Sequence, residues 1–186
     1  MDKVLETLHG VLVSPRSAFR RLAGEKPVGH AAGVLLLAAA LPAVSAPPEA
    51  VQGLLEMLGI EIAPGWIVLV ETGGRLGGAL LSFAVMFVLS ARFRGSGGFA
   101  GMFSALAFAQ FPAVFRVPLD LLGRVLGDPA MTRHITAGIG VWTVILTVIA
   151  LGESRDLSLG ESVLIYVLSI VGLVVVGLMV LLAIVL

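Results

Sequence analysis

Apolar residues in this chain come in long unbroken runs, and the charges are confined to the intervals between them. Pro27 to Pro48 holds 22 residues without a formal charge, counting His30 as neutral. Gly95 to Phe115 holds 21, Ile135 to Gly152 holds 18, and Ser162 to Leu186 holds 25. Each is close to the ~20 residues with which a helix crosses ~30 Å of hydrocarbon. A shorter run, Leu76 to Ala91, becomes a full span when carried back to Trp66, with Glu71 and Arg75 in its first turns. Hydrocarbon offers no water to the backbone, so such segments must pair their N–H and C=O groups internally, as helices. The pattern predicts an all-α polytopic membrane protein, a five-helix bundle with spans near 28–47, 66–91, 98–119, 135–152 and 162–186.

The segment ahead of Pro27 follows a different pattern. Val4, Leu5, Leu8, Val11 and Leu12 recur at helical spacing. Ser14-Pro15 then reads as an N-cap followed by a proline at the first helical position, where its missing N–H costs nothing. A second helix sets Ala18, Phe19 and Leu22 against Arg16, Arg20 and Arg21. Residues 1–26 are therefore expected to form cytoplasmic amphipathic helices ahead of a membrane domain over 27–186. Two placements suit them. They lie on an anionic leaflet with Arg16, Arg20 and Arg21 at lipid phosphates, or they cap the bundle. Val51, Leu54, Leu55, Leu58 and Ile62 line one face of a further short helix, between Pro47-Pro48 and Pro64, expected along the outer interface.

Composition narrows the function classes. Charged residues make up 13% of the chain, about half the ~25% of a soluble domain, and mean hydropathy is +1.07. The net charge is zero, so no basic field points to nucleic acid. The absence of cysteine excludes disulfides, thiolate metal sites and a cysteine nucleophile. No cleavable signal peptide is expected, because the first long apolar run starts only near Pro27. Ten Arg against two Lys, with abundant Ala and Gly, points to a GC-rich prokaryotic genome.

Orientation follows from Lys and Arg in the short connections. With the N-terminus inside, the inner segments hold Lys3, Arg16, Arg20, Arg21, Lys26, Arg92, Arg94 and Arg155, eight in all. The outer segments hold three, Arg116, Arg124 and Arg133, and the loop from Glu49 to Pro64 holds none. A multi-pass cell-membrane protein with a cytoplasmic N-terminus and an external C-terminus is expected.

Polar residues within the spans are the candidate functional groups. Glu71 and Arg75 stand four residues apart and share one helix face. They form either an ion pair near the outer interface that sets helix depth, or a proton or headgroup site. Gln110 sits in the middle of the third span with Pro112 two residues on. The proline frees the carbonyl near Phe108, which the Gln amide or a facing Ser or Thr would satisfy. Arg116, Pro118 and Asp120 follow where that helix ends. The group is either a locally satisfied kink or a polar cavity of the kind found in transporters with broken helices. No inverted repeat matches it in the other half. Gly73 with Gly77, and Gly74 with Gly78, flatten the second span for close packing, within the chain or against a second copy.

Catalytic constellations do not assemble. Intramembrane metalloproteases of the prenyl-endopeptidase type need two adjacent glutamates ahead of an arginine, whereas Val70-Glu71 precedes Arg75 here. His9, His30 and His134 lie at helix ends or in loops with no second ligand at i+4, and there is no G-x-S-x-G elbow. No catalytic, metal or cofactor-binding residue is assigned.

Several short segments then coincide in order and spacing. Leu12-Val13-Ser14-Pro15-Arg16-Ser17-Ala18-Phe19, Gly97-Gly98-Phe99, Ala107-Phe108-Ala109-Gln110-Phe111-Pro112, Trp142, Gly152-Glu153 and Leu157-Ser158 resemble successive motifs of the prokaryotic Yip1-domain proteins. Phe108 stands where the family pattern has Tyr, and the second span with Glu71 and Arg75 has no counterpart in it. The resemblance implies five helices, a cytoplasmic N-terminus and a short external C-terminus. Eukaryotic relatives are linked to vesicle traffic and to prenylated small GTPases through a long N-terminal region, for which the segment ahead of Pro27 is expected to be too short.

Two functions are expected to compete. The leading one is a non-enzymatic protein that organises or shapes the bilayer, or scaffolds partners, with membrane lipids as its contacts and Gly73/Gly77 or Gly74/Gly78 available for a homo-oligomer. The alternative is a transporter or channel for a small ion or lipid, using a polar site near Gln110, Glu71 and Arg75.

Overall fold

The computed structural model describes residues 2–45, 53, 63–127 and 129–185. The apolar face through Val51, Leu54, Leu55, Leu58 and Ile62 lies outside the described residues. Among the described residues the secondary structure is entirely helical.

The amphipathic start forms α1 (Asp2–Val13) and α2 (Pro15–Glu25). Pro15 occupies the first turn of α2 as expected, but Ser14 at the N-cap position makes no side-chain cap bond. Its carbonyl instead accepts from the Ser17 hydroxyl at 3.0 Å. Lys26, in the left-handed conformation with φ 53°, closes α2 by donating its N–H to Leu22 O at 2.9 Å. Ala18, Phe19 and Leu22 are all buried, so the apolar stripe of α2 faces the bundle and not the lipid. Of the two placements, the chain adopts the cap.

α3 (Val28–Ser45) is shorter than the other spans. At 1.5 Å per residue its 18 residues extend ~27 Å, close to the hydrocarbon thickness. Ala31, Val34, Leu35, Ala38, Ala39 and Ala43 form its buried stripe at 3–4 residue spacing, and the four alanines let its backbone come close to its neighbours. α4 (Pro64–Arg92) contains the second span. α5 (Phe99–Ala109) is buried at every position from Gly101 to Ala109, the signature of a helix apolar on all sides and central to the packing.

The third span departs from a single kinked helix over 98–119. α5 stops at Ala109, a 3-10 segment follows over Phe111–Phe115, and α6 (Arg116–Leu126) carries the chain onward. α7 (Pro129–Arg155) and α8 (Leu159–Val185) start earlier than the charge-free windows, since charged residues are tolerated where helices leave the hydrocarbon. Among the described residues four segments are long and apolar enough to cross a membrane: 65–92, 99–123, 133–155 and 159–179. With α3 they make up the five-span arrangement.

Packing explains why this surface requires lipid. α5 lies among α2, α3 and α7, while α8 packs on α4 and α7. Toward the outside, Val163, Leu164, Val167, Leu168, Ile170 and Val171 are all exposed on α8, and Leu80, Leu81 and Val88 on α4. Water would make so broad an apolar surface a liability. The polar groups turn inward: Ser162 and Ser169 are buried on α8 and donate to the carbonyls of Ser158 and Tyr166 at 2.9 and 2.7 Å.

The glycine faces of α4 meet no other part of the chain among the described residues. Gly73, Gly74, Gly77 and Gly78 line a side of the helix on which a Cβ at any of them would meet nothing within 4 Å.

Candidate functional site

Two polar clusters divide the bundle lengthwise. At one end, which we call the cap end, α2 packs on α5 and α7, with α1 against α2. The other, distal end holds the start of α4 and the whole of α6.

The cap end is organised by Arg155, the last residue of α7, which is 3% exposed. Its Nε donates to Ser90 Oγ at 3.0 Å and one terminal nitrogen donates to Gly95 O at 2.8 Å. The other terminal nitrogen donates to Gly97 O, and the guanidinium lies 4.6 Å from the centre of the Phe87 ring. Ser96 returns a bond from its N–H to Arg155 O at 2.9 Å, and its hydroxyl donates to the Asp156 carboxylate. A buried guanidinium needs many acceptors when no carboxylate is beside it, and the turn after α4 supplies carbonyls in place of a counter-ion.

Glycine makes that turn possible. Gly97 has φ +80°, and a Cβ there would stand 2.7 Å from Ser154 O. Gly101, near the start of α5, lets Ala23 of α2 approach so closely that a Cβ would stand 2.5 Å from Ala23 O. In the sequence Arg155 counts only as one more inner charge. The glycine-rich turn is visible there, but nothing local links it to an arginine beyond the whole of the next two spans.

The expected headgroup arginines lie at the same end. Arg20 donates through two nitrogens to Glu153 Oε2, at 2.7 and 3.1 Å, yet its side chain stays 77% exposed. Arg21 pairs with Glu6 at 3.0 Å and approaches Glu25 at 4.0 Å. Arg16 is exposed and lines a shallow cavity with Glu153, Leu157 and Ser162, without an ion pair among the described residues.

In the distal half the residues singled out from sequence come together. Arg75 lies roughly 25 Å along α4 from Arg92 at the cap end, and Gln110 lies roughly 16 Å from the start of α5. Arg75, Gln110, Arg116 and Thr143 line one cavity of ≈ 180 Å³, whose remaining walls are Leu35, Ala38, Ala39, Ala79 and Ala113. Glu71 stands behind Arg75: its Oε1 accepts from Arg75 Nε at 2.9 Å and from one terminal nitrogen of the same guanidinium. The Glu71 side chain is only 8% exposed, and its Oε2 is buried with no hydrogen-bond partner among the described residues.

Gln110 sits at the break itself. Its carbonyl accepts from Ala113 N at 3.0 Å, the tighter i→i+3 bond of a 3-10 turn, while the buried Pro112 offers no N–H to continue the α-helix. The Gln110 amide does not turn back to the Phe108 carbonyl. It crosses to α7 and donates to Thr147 Oγ1 at 3.2 Å. Thr147 in turn donates to Thr143 O, and Thr143 to Ile139 O.

Arg116 opens α6 with its Nε buried and without a hydrogen-bond partner among the described residues. One of its terminal nitrogens lies 3.8 Å from where a Cβ on Gly140 would sit, so the guanidinium reaches the face of α7 that also presents Thr136, Thr143 and Thr147. A charge at depth costs roughly 2.5–3.5 kcal/mol by insertion scales. Arg75 offsets that cost with Glu71, whereas Arg116 has no such offset among the described residues.

Comparison with curated proteins and with solved structures gives no match. A family model does match, over residues 9–181, and its description is the Yip1 domain. That range takes in α2, all five spans, the Gly97 turn with its Arg155 clamp and the break at Gln110. The chain belongs to the Yip1 domain family.

Proposed function

We propose that this integral membrane protein is non-enzymatic and organises the bilayer or scaffolds partners from its cap end, with that end on the cytoplasmic face of the cell membrane. The observation that carries the reading is the docking of α1 and α2 on the bundle. Buried Phe19 and Leu22 fix them there, and exposed cations gather around them. Arg16, Arg20 and Lys26 are exposed on the cap itself, and Arg92 lies at the adjoining end of α4. A basic residue near an anionic leaflet contributes about 1 kcal/mol of attraction, and a rigid cap would present several together. Because the arginines sit on a fixed surface, they would hold the bundle and any partner in a set orientation to the headgroups.

Passage of an ion or lipid is the alternative use of the distal polar residues. The unbroken burial of α5 from Gly101 to Ala109, where the Ser104 hydroxyl donates back to Ala100 O, supports holding over passage.

Arg16→Glu combined with Arg92→Glu tests the cap reading while leaving the Arg20–Glu153 pair in place. Association of the nanodisc-embedded protein with anionic vesicles in a flotation assay should fall several-fold relative to wild type and become insensitive to salt. Equal binding by the variant and the wild type would refute it. Flux above empty vesicles in reconstituted liposomes would favour the transport reading instead.

A further inference from the structure

Among the described residues that line it, the distal cavity has two guanidiniums and no carboxylate. Arg75 uses Nε and one terminal nitrogen on Glu71 Oε1, and Glu71 itself does not line the space. Arg116 makes no hydrogen bond or ion pair among the described residues, although its Nε is buried. Among the described residues, then, Arg75 is paired with Glu71 while Arg116 has no anionic partner. From this imbalance we infer that the cavity is a binding site for an anionic phosphate group, carried by a phospholipid or free in solution.

The chemistry of the donors selects that class of ligand. A guanidinium presents N–H groups in a planar fork that matches two oxygens of a phosphate, and such charge-assisted pairs are the stronger hydrogen bonds in proteins. Arg116 has its fork free, while Arg75 adds charge from another wall. Gln110 and Thr143 already direct donors to Thr147 Oγ1 and Ile139 O, so they shape the site and leave recognition to the arginines.

The cavity, at ≈ 180 Å³, is several times the ~30 Å³ share of one water, enough for a phosphate with space left beside it. Its apolar walls, Leu35, Ala38, Ala39 and Ala79, suit the glycerol end of a lipid more than a fully hydrated ion. The Arg75 side chain is 37% exposed, so the space communicates with the surroundings of the bundle.

The site is separate from the cap and is tested separately. Detergent-purified full chain is exchanged with phosphatidylglycerol or phosphatidylcholine and examined by native mass spectrometry. A parallel series measures the thermal midpoint with sodium phosphate or sodium chloride at equal ionic strength. The wild type should retain one phosphatidylglycerol in preference to phosphatidylcholine, and Arg116→Gln should weaken that retention by about tenfold. Ala79→Leu, which keeps both arginines and fills the cavity, should do the same. It decides the question alone if Arg116→Gln does not fold. Arg16→Glu with Arg92→Glu should leave retention unchanged, whatever it does to the cap. A midpoint raised by phosphate without selective lipid retention assigns the site to the free anion. No lipid selectivity together with no phosphate effect overturns the inference, as does unaltered binding by the cavity variants.

Discussion

Arg155 and Ser90 are joined by a 3.0 Å hydrogen bond from the guanidinium Nε to the hydroxyl, which ties the end of α7 to the end of α4. Ser90 is fully buried and passes its own proton to Phe87 O at 2.7 Å, so the hydroxyl has both roles filled. The other two arms of Arg155 hold the carbonyls of Gly95 and Gly97. One side chain thus fixes three parts of the cap end: the last turn of α4, the glycine turn and the start of the α7–α8 connection.

Removing that side chain should be costly. Arg155→Ala leaves the Gly95 and Gly97 carbonyls and the Ser90 hydroxyl without their donor, at about 1–3 kcal/mol for each group that stays out of water. Partial hydration of the emptied space would reduce the total, and we expect a loss of about 2–4 kcal/mol. Arg155→Lys keeps the charge but loses the fork, so it should recover only part of it. Ser90→Ala removes one of the three contacts and should cost least. Reversible unfolding in mixed micelles gives the ranking, and a lysine variant as stable as the wild type would contradict it.

Five spans are legible in the sequence because their signal is collective. Charge-free length and the Lys/Arg imbalance need no knowledge of contacts, and the family motifs lie along the same segments. The stripe of Ala18, Phe19 and Leu22 is equally plain, but periodicity gives only the apolar face. Whether that face meets lipid or protein depends on Gly101, two spans further along the chain, whose missing Cβ lets α2 approach. The distal site is legible only in pieces. Arg75, Gln110 and Arg116 each stand out as polar residues in apolar surroundings, while their common cavity arises from how α3, α4 and α7 surround the break. Arg155 does not stand out at all, because a loop arginine and a buried clamp have the same sequence signature.

Glycines at two places should respond in opposite ways to the same methyl group. At Gly101 the added Cβ would meet Ala23 O at 2.5 Å, and a backbone carbonyl cannot move without moving α2. Gly101→Ala should therefore loosen the cap, at a cost of about 1–3 kcal/mol in the range of overpacked sites. Hydrogen exchange would show faster labelling of α1 and α2 with little change in α8. At Gly77 nothing lies within 4 Å, and helix propensity favours alanine by up to about 1 kcal/mol. Gly77→Ala should leave the fold of a single chain intact or firmer. Loss of the folded monomer in that variant would show that the glycine face is covered within the chain after all.

The Gln110–Thr147 bond offers a measure of how firmly the break in the third span is held. At 3.2 Å it is a neutral contact between α7 and the residue that separates α5 from the 3-10 turn, with Gln110 half-buried. Hydrogen bonds between helices in membranes average about 0.6 kcal/mol and reach about 1.7 kcal/mol, because the unfolded state in lipid also finds partners. Gln110→Leu removes the donor, but Thr147 still donates to Thr143 O, so α7 keeps a satisfied hydroxyl. Thr147→Val removes the acceptor and leaves the Gln110 amide facing the cavity shared with Arg75 and Arg116. The double variant should be less destabilised than the sum of the single ones, with a coupling of about 0.5–1.5 kcal/mol. A coupling near zero would mean that backbone geometry alone, set by Pro112 and the Gln110–Ala113 turn, maintains the break, and Gln110 would then act only as part of the cavity wall.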